Sequence, residues 1–374
     1  MVKKLDLLLV GGHVLDPYTG RDGRYDIGIK GGRVAGLYPG GGILPAAAEV
    51  IDVDGDYLSP GWIDLHVHVA DGAVIGIDAD TVGVRQGVTT IVDAGSTGSR
   101  TFPGFVEHVI SKAKTRVLAW LNVSRAGLFD GLSELADLSE IDEEETLRLI
   151  AENTSIRGIK VRMSSSVVKG TDVEGLRRAK TIAAKAEVPV FVHIGNQPPK
   201  LTDVLDLLGA GDVVTHIFHG KPGGCLNERE EILPQLQAAL RRGVYIDLGH
   251  GTESYSFHRM RQAHARGLMV DTISTDLYSR NYEAPVRSLS DTMEKCMALG
   301  MTLHEVIAAV TARPAAILRM PQIGSLRAGS VADLTRFAVC DEVREYVDAE
   351  DCRICGHQTL AVKGVVREGS VTLL

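Results

Sequence analysis

Gly61-Trp62-Ile63-Asp64-Leu65-His66-Val67-His68 ends an apolar, alternating run on two histidines two residues apart. In a β-strand, side chains i and i+2 leave the same face, so both imidazoles face one point. Imidazole is the commonest protein ligand for zinc and related ions. Taken alone, the pair also fits an ordinary polar strand end. The two readings separate on whether further ligand-type residues end the later strands.

From Pro60 onward the chain alternates strand-like and helix-like segments. The apolar runs are Trp62-His68, Thr89-Ala94, Val117-Asn122, Ile156-Arg162, Pro189-His193, Val213-His216, Val244-Leu248 and Val270-Asp276. Between them, Val173, Leu176 and Ala179 follow Asp172 as an expected cap, Leu201, Val204, Leu205 and Leu208 recur at helical spacing, and so do Ile232, Leu236, Ala239 and Leu240. Gly87, Gly243 and Gly267 stand where a helix should stop before the next strand. Repeated βα units over roughly 250 residues predict an α/β fold, a (β/α)8 TIM-like barrel; a doubly wound sheet is the alternative. A last helix is expected from Thr302, with Glu305 completing a capping box and Pro314 close behind.

Both ends of the chain read differently. Leu5-Val10, Asp26-Lys30 and Arg33-Leu37 are short strands between glycine turns, with a glycine-rich loop from Pro39 to Pro45. Ala332-Phe337, Leu360-Val362 and Val365-Arg367 repeat that pattern after Gly324. Neither piece buries enough surface alone, so residues 1–58 and 324–374 are expected to form one composite β-sandwich domain beside a barrel of residues 59–323.

Polar residues at the C-terminal ends of the barrel strands decide the first question. The first strand ends in His66 and His68, the fourth holds Lys160, the fifth ends in His193, the sixth in His216 and the eighth in Asp276. Barrel chemistry sits at this end. Each residue has a bland account, as a core histidine, a salt-bridge lysine or a turn-capping aspartate. Independent structural roles, however, have no reason to choose the same mouth.

Composition excludes other classes. Hydrophobic residues make up 44 % and charged residues 24 % of 374, as in ordinary globular chains. A formal net charge of −8 and the absence of a basic run argue against a nucleic-acid partner. No stretch approaches a membrane span, and Leu5–Val10 is too short for a signal-peptide core. Five sparse cysteines are not a disulfide framework, so a cytoplasmic protein is expected. Cys352-Arg353-Ile354-Cys355 is a CxxC with no second ligand pair nearby, and reads as two tolerated thiols.

Over nearly its whole length the chain resembles the amidohydrolase superfamily. The likeness rests on Gly61–His68, the Lys160 strand, His193, His216, Ile273-Ser274-Thr275-Asp276, and the return Gly324-Ser325-Leu326-Arg327-Ala328-Gly329-Ser330-Val331-Ala332-Asp333-Leu334. That resemblance implies a binuclear metal hydrolase. Lys160 would carry a carbamate bridging two divalent ions, zinc being expected, with His66, His68 and Asp276 on one ion and His193 and His216 on the other. An ammonium cannot bind a cation, whereas a carbamate offers two oxygens. A hydroxide bridging the two ions would attack the substrate, and Asp276 would carry its proton to the leaving group.

Within the superfamily, dihydroorotase-like enzymes resemble this ligand order, but Val69-Ala70 replace the arginine that normally follows their first motif. The tyrosine of hydantoinases is missing from Ile156–Lys160. A better likeness is to a group of metal-dependent deacetylases and esterases, typified by an acetyl-(R)-mandelate esterase. It covers Gly158–Arg162, Thr215–Gly220, Asp247–Gly251 and Val270–Asp276. The expected activity is hydrolysis of an acetyl or acyl ester or amide of a small carboxylate-bearing molecule; cyclic amide or imide hydrolysis is the alternative. A barrel that has lost its chemistry would lack a ligand, and none is lacking. Arg162, two residues beyond Lys160, is a candidate for the substrate carboxylate or for a surface salt bridge. His250, in a Gly-His-Gly turn, is a candidate substrate contact ahead of mere loop filling, His219 either touches substrate or supports the ligands, and Tyr278 is candidate pocket lining. The outer helices of such a barrel could support a homo-oligomer.

Overall fold

The computed structural model describes residues 4–374, so residues 1–3 of the expected terminal segment lie outside it. Its strands are β1 (Leu5–Asp16), β2 (Arg21–Lys30), β3 (Arg33–Pro39), β4 (Ala47–Asp52), β5 (Tyr57–Pro60), β6 (Trp62–Val67), β7 (Val88–Ala94) and β8 (Arg116–Asn122). They continue as β9 (Ile156–Met163), β10 (Val190–Ile194), β11 (Val213–Thr215), β12 (Tyr245–Asp247), β13 (Leu334–Val347), β14 (Arg353–Arg367) and β15 (Ser370–Leu373).

Strands β6 to β12 form a parallel sheet in sequence order. Seven of the eight expected barrel strands are therefore regular. The eighth, Val270–Asp276, is not a continuous strand, yet it occupies the eighth place. Asp276 N donates to His66 O (2.7 Å) and His68 N to Leu277 O (2.9 Å) on one side. Leu248 N donates to Thr272 O (2.9 Å) and Gly251 N to Thr275 O (2.9 Å) on the other. The segment closes the ring while two buried carboxylates hold its hydroxyls. Asp247 accepts from Thr272 and Ser274, and Asp64 accepts from the Thr275 hydroxyl and amide. Side chains thus hold this segment where an ordinary ladder would otherwise run.

Helices cover the outside through amphipathic stripes. Glu174–Lys185 buries Leu176, Ala179, Ile182 and Ala183 against the sheet. Its expected cap fails: Asp172 has φ +53 and Val173 occupies the N-cap without a side-chain bond. The capping box is present on Leu303–Val310, where Glu305 N donates to Thr302 Oγ1 (3.3 Å) and Thr302 N to Glu305 Oε2 (2.8 Å). Thr302→Ala should cost about 1 kcal/mol, read as a lower denaturation midpoint at constant slope. Pro314 does not end the helical run but sits inside Ala312–Ile317, in the first turn, where a missing N–H is tolerated.

The two ends of the chain do meet. β5 pairs antiparallel with β13, Leu334 opposite Pro60 and Phe337 opposite Tyr57. The resulting mixed sheet runs β15-β14-β13-β5-β1-β2-β3, with β4 alongside β1. Where the pattern predicts a sandwich, the hydrogen bonding forms one continuous sheet. Leu7, Leu9, Ile27 and Ile29 from the first segment share a core with Leu326, Ala332, Leu334 and Val366 from the last. The C-terminal strands are also longer than their apolar runs, because β13 and β14 form a hairpin whose outer half is largely exposed. Cys352 and Cys355 lie on that hairpin, both exposed and free.

Candidate metal centre

At the mouth of the ring His66, His68 and Asp276 converge, with one donor atom from each within 4.8 Å of the others. Asp276 Oδ1 is 3.2 Å from Nε2 of both histidines. The far nitrogens are occupied. His66 Nδ1 faces Thr215 Oγ1 at 3.4 Å, and that hydroxyl in turn donates to Asp247 (2.7 Å). His68 Nδ1 faces Ser96 Oγ at 2.9 Å. Both rings therefore present Nε2 to Asp276.

His216 joins from the next-but-four strand. Its Nδ1 donates to Gly249 O at 2.7 Å; a carbonyl only accepts, so Nε2 carries the lone pair. That Nε2 is buried, lacks a hydrogen-bond partner and stands 3.8 Å from Asp276 Oδ2. The His193 ring lies edge-on to His216 with centroids 4.5 Å apart. Burial keeps His66, His193 and His216 neutral: the first two titrate well below the usual histidine range, and His216 falls to about 4.

Lys160 Nζ lies 3.1 Å from His66 Nε2 and 4.5 Å from the Phe191 ring centroid, wholly out of solvent. Burial lowers its ammonium to about 7, so near neutrality a large share is free amine. Burial pushes Asp276 the other way, but the His68 hydrogen bond and the nearness of His216, His68 and Lys160 hold it below the ordinary carboxylate range. The donors are therefore four imidazoles, three of them held neutral by burial, a carboxylate and a lysine that can exist uncharged. An orphaned His216 nitrogen aimed inward completes a set that suits a divalent cation.

Two of these residues hold unusual backbone. His216 has φ +71 and Asp276 φ +52, both in the left-handed region that costs a side-chain-bearing residue of order 1 kcal/mol or more. The first kink directly follows β11 and the second ends the irregular eighth segment, and both side chains reach the site.

The cavity over this cluster measures about 260 Å³. Lys160, Arg162, His193, Lys221 and Arg280 bring cationic or imidazole groups to its wall, and Ile75, Leu128 and Leu132 bring apolar ones. Tyr278 lines it as expected. Arg162 lines it too, while its Nη1 pairs with the Glu134 carboxylate at 3.1 Å, a largely buried ion pair rather than the surface one that was the alternative. His219 and His250 do not line it. His219 is buried, with Nδ1 unpartnered. His250 is fully enclosed, with both ring nitrogens bonded inside the protein. These two expected substrate contacts are corrected: they sit behind the wall. Sequence reading missed Ser96, Thr215, Asp247, Asp64 and Glu134, which orient the cluster. Only the Asp64 signal was within reach, since it stands two residues before His66 on the same strand face.

Comparison with known proteins agrees with this geometry. Residues 57–372 match the amidohydrolase family. A deacetylase of Agrobacterium fabrum is 39 % identical over 309 residues, 82 % of this chain and 76 % of that protein. A deacetylase of Enterococcus faecalis is 36 % identical over 368 residues, 96 % of this chain and 97 % of that one. A crystal structure described as an adenine deaminase superposes with a TM-score of 0.94 at 34 % identity, covering 99 % of this chain and 100 % of that one. One described as a dihydroorotase does so at 0.90 and 34 %, covering 98 % and 99 %.

Proposed function

The chain belongs to the amidohydrolase family, and on that premise we propose that it removes an acetyl or other small acyl group from the nitrogen or oxygen of a small carboxylate-bearing molecule. The observation that carries this reading is the cavity itself. Five of the six clustered side chains, His66, His68, Lys160, His193 and Asp276, line its floor, and Arg162, Lys221 and Arg280 stand on its wall.

His66, His68 and Asp276 would hold one divalent ion, His193 and His216 a second, and Lys160, as its carbamate, both. Zinc is the first ion to test. Such ions polarise a carbonyl and make water a nucleophile near neutral pH. Asp276, ionised and facing the cavity floor, accepts the proton released at attack and returns it to the departing amine or alkoxide. Glu134 orients the Arg162 guanidinium so that its remaining N–H groups meet the substrate carboxylate. Ile75, Leu128 and Leu132 shield the acyl group from water. Residues 59–323 would form this catalytic barrel and 1–58 with 324–374 its companion β-domain.

A second reading, opening of a cyclic amide, is favoured by the structural neighbour described as a dihydroorotase. A panel separates the two: acetylated hydroxy and amino acids against dihydroorotate and hydantoins, with metal content measured on the same samples. Turnover of the acyclic compounds is expected; hydrolysis confined to the rings overturns the reading. Arg162→Met should raise KM for carboxylate substrates about 10- to 100-fold, the worth of a charge-assisted hydrogen bond. It should leave uncharged esters of the same acyl group nearly unaffected. Equal losses on charged and neutral substrates would place Arg162 with Glu134 as structure only.

A further inference from the structure

The turn Gly249-His250-Gly251 follows β12, and its backbone is pressed onto two residues of the cluster. Gly249 O is the acceptor that sets the His216 tautomer, and a Cβ on Gly249 would fall 2.8 Å from His216 Nδ1. A Cβ on Gly251 would fall 2.6 Å from Asp276 Oδ2. Both glycines are left-handed, at φ +55 and +54, a conformation open to them because they lack that atom. Any drift of this turn moves the acceptor of His216 and the surface behind Asp276.

Backbone bonds from His250 N to Ser274 O and from Gly251 N to Thr275 O hold the turn on one side. On the other side it is held by the His250 ring. That ring is edge-on to Tyr255 with centroids 4.9 Å apart, and its Nδ1 donates to Gly251 O at 2.8 Å. Nε2 is therefore an acceptor, and it faces Lys295 Nζ at 3.0 Å. Lys295 is 1 % exposed, on the helix Leu289–Ala298. Its ammonium donates to His250 Nε2 and to Pro285 O (2.5 Å) and forms an ion pair with Asp291 Oδ2 at 3.0 Å. Burying an ammonium costs several kcal/mol even when it is paired, and a methionine would fill the same space without that penalty. The cost makes sense if the charge holds something in place.

We propose that Lys295 is a positioning residue: gripping His250, it fixes the Gly249–Gly251 turn and thereby the tautomer of His216 and the placement of Asp276. The proposal rests on the metal-centre reading above. Its test compares the full-length chain with Lys295→Met, with Lys295→Met/Asp291→Asn, which removes both buried charges, and with His216→Ala. Zinc affinity is measured by competition with a chromophoric chelator, and the visible spectrum of the cobalt-loaded protein is recorded. Both Lys295 variants should bind zinc about 10-fold more weakly and show an altered cobalt spectrum. Adding Lys295→Met to His216→Ala should cost less than it does in the wild type, because only the route through Gly251 and Asp276 remains. A folded Lys295→Met/Asp291→Asn protein with lowered Tm but wild-type affinity and spectrum would make Lys295 a structural residue and overturn the inference. Unchanged affinity in His216→Ala would instead overturn the metal-centre reading beneath it.

Discussion

Asp276→Asn should lower kcat by about 10²- to 10⁴-fold, the range spanned by a positioned proton carrier, with the fold preserved. The substitution keeps size and shape but removes the charge and the basic oxygen. Asp276 is the only carboxylate among the six convergent side chains, and its Oδ1 is shared by His66 and His68 at 3.2 Å. Its backbone amide holds His66 O and its carbonyl accepts from Asn281 Nδ2 (2.8 Å), so the position is anchored without the carboxylate. Far-ultraviolet circular dichroism and Tm should therefore stay near wild type, while turnover collapses with KM little changed. Metal content, measured by atomic emission, divides the effect into lost binding and lost proton transfer. Wild-type turnover in this variant would remove Asp276 from the mechanism.

Lys160→Met should abolish turnover and move stability the opposite way. Lys160 is fully enclosed beside Phe191, and burial holds its amine at about 7 against an ordinary value of about 10.4. The folded state thus binds fewer protons at this site than the unfolded chain. Its destabilising contribution is absent above about pH 10.4, grows as pH falls, and levels off below about 7. Metal-free wild-type protein should therefore lose Tm relative to Lys160→Met between pH 10 and 7. The variant should lose bound metal and at least about 10²-fold in kcat, since the residue proposed to serve both ions disappears. Turnover surviving in Lys160→Met, or parallel Tm curves, would contradict this assignment. Chelation of the wild type should act on turnover alike, with activity restored by adding back a divalent ion.

Seven of the eight barrel strands were legible because a strand declares itself locally, by an apolar run that ends at a turn. The eighth was legible only as a position. Its Thr272, Ser274 and Thr275 look like strand residues, but their hydroxyls are taken by Asp247 and by Asp64, the latter 211 residues away from Thr275. The capping box at Thr302 was readable for the same local reason, since all its partners lie within four residues. Asp172 was misread because the preceding chain turns left-handed there, which no spacing announces.

The order of residues alone determined that His66, His68, Lys160, His193, His216 and Asp276 stand at one end of a ring of strands, because strand period and strand ends are properties of short segments. Whether those side chains meet was decided by tertiary structure. The left-handed kinks at His216 and Asp276, the buried Lys160 amine, the Glu134 partner of Arg162 and the withdrawal of His250 toward Lys295 each depend on groups distant in the chain. Burial and orientation are set by what packs alongside, and a linear pattern carries no record of its neighbours in space.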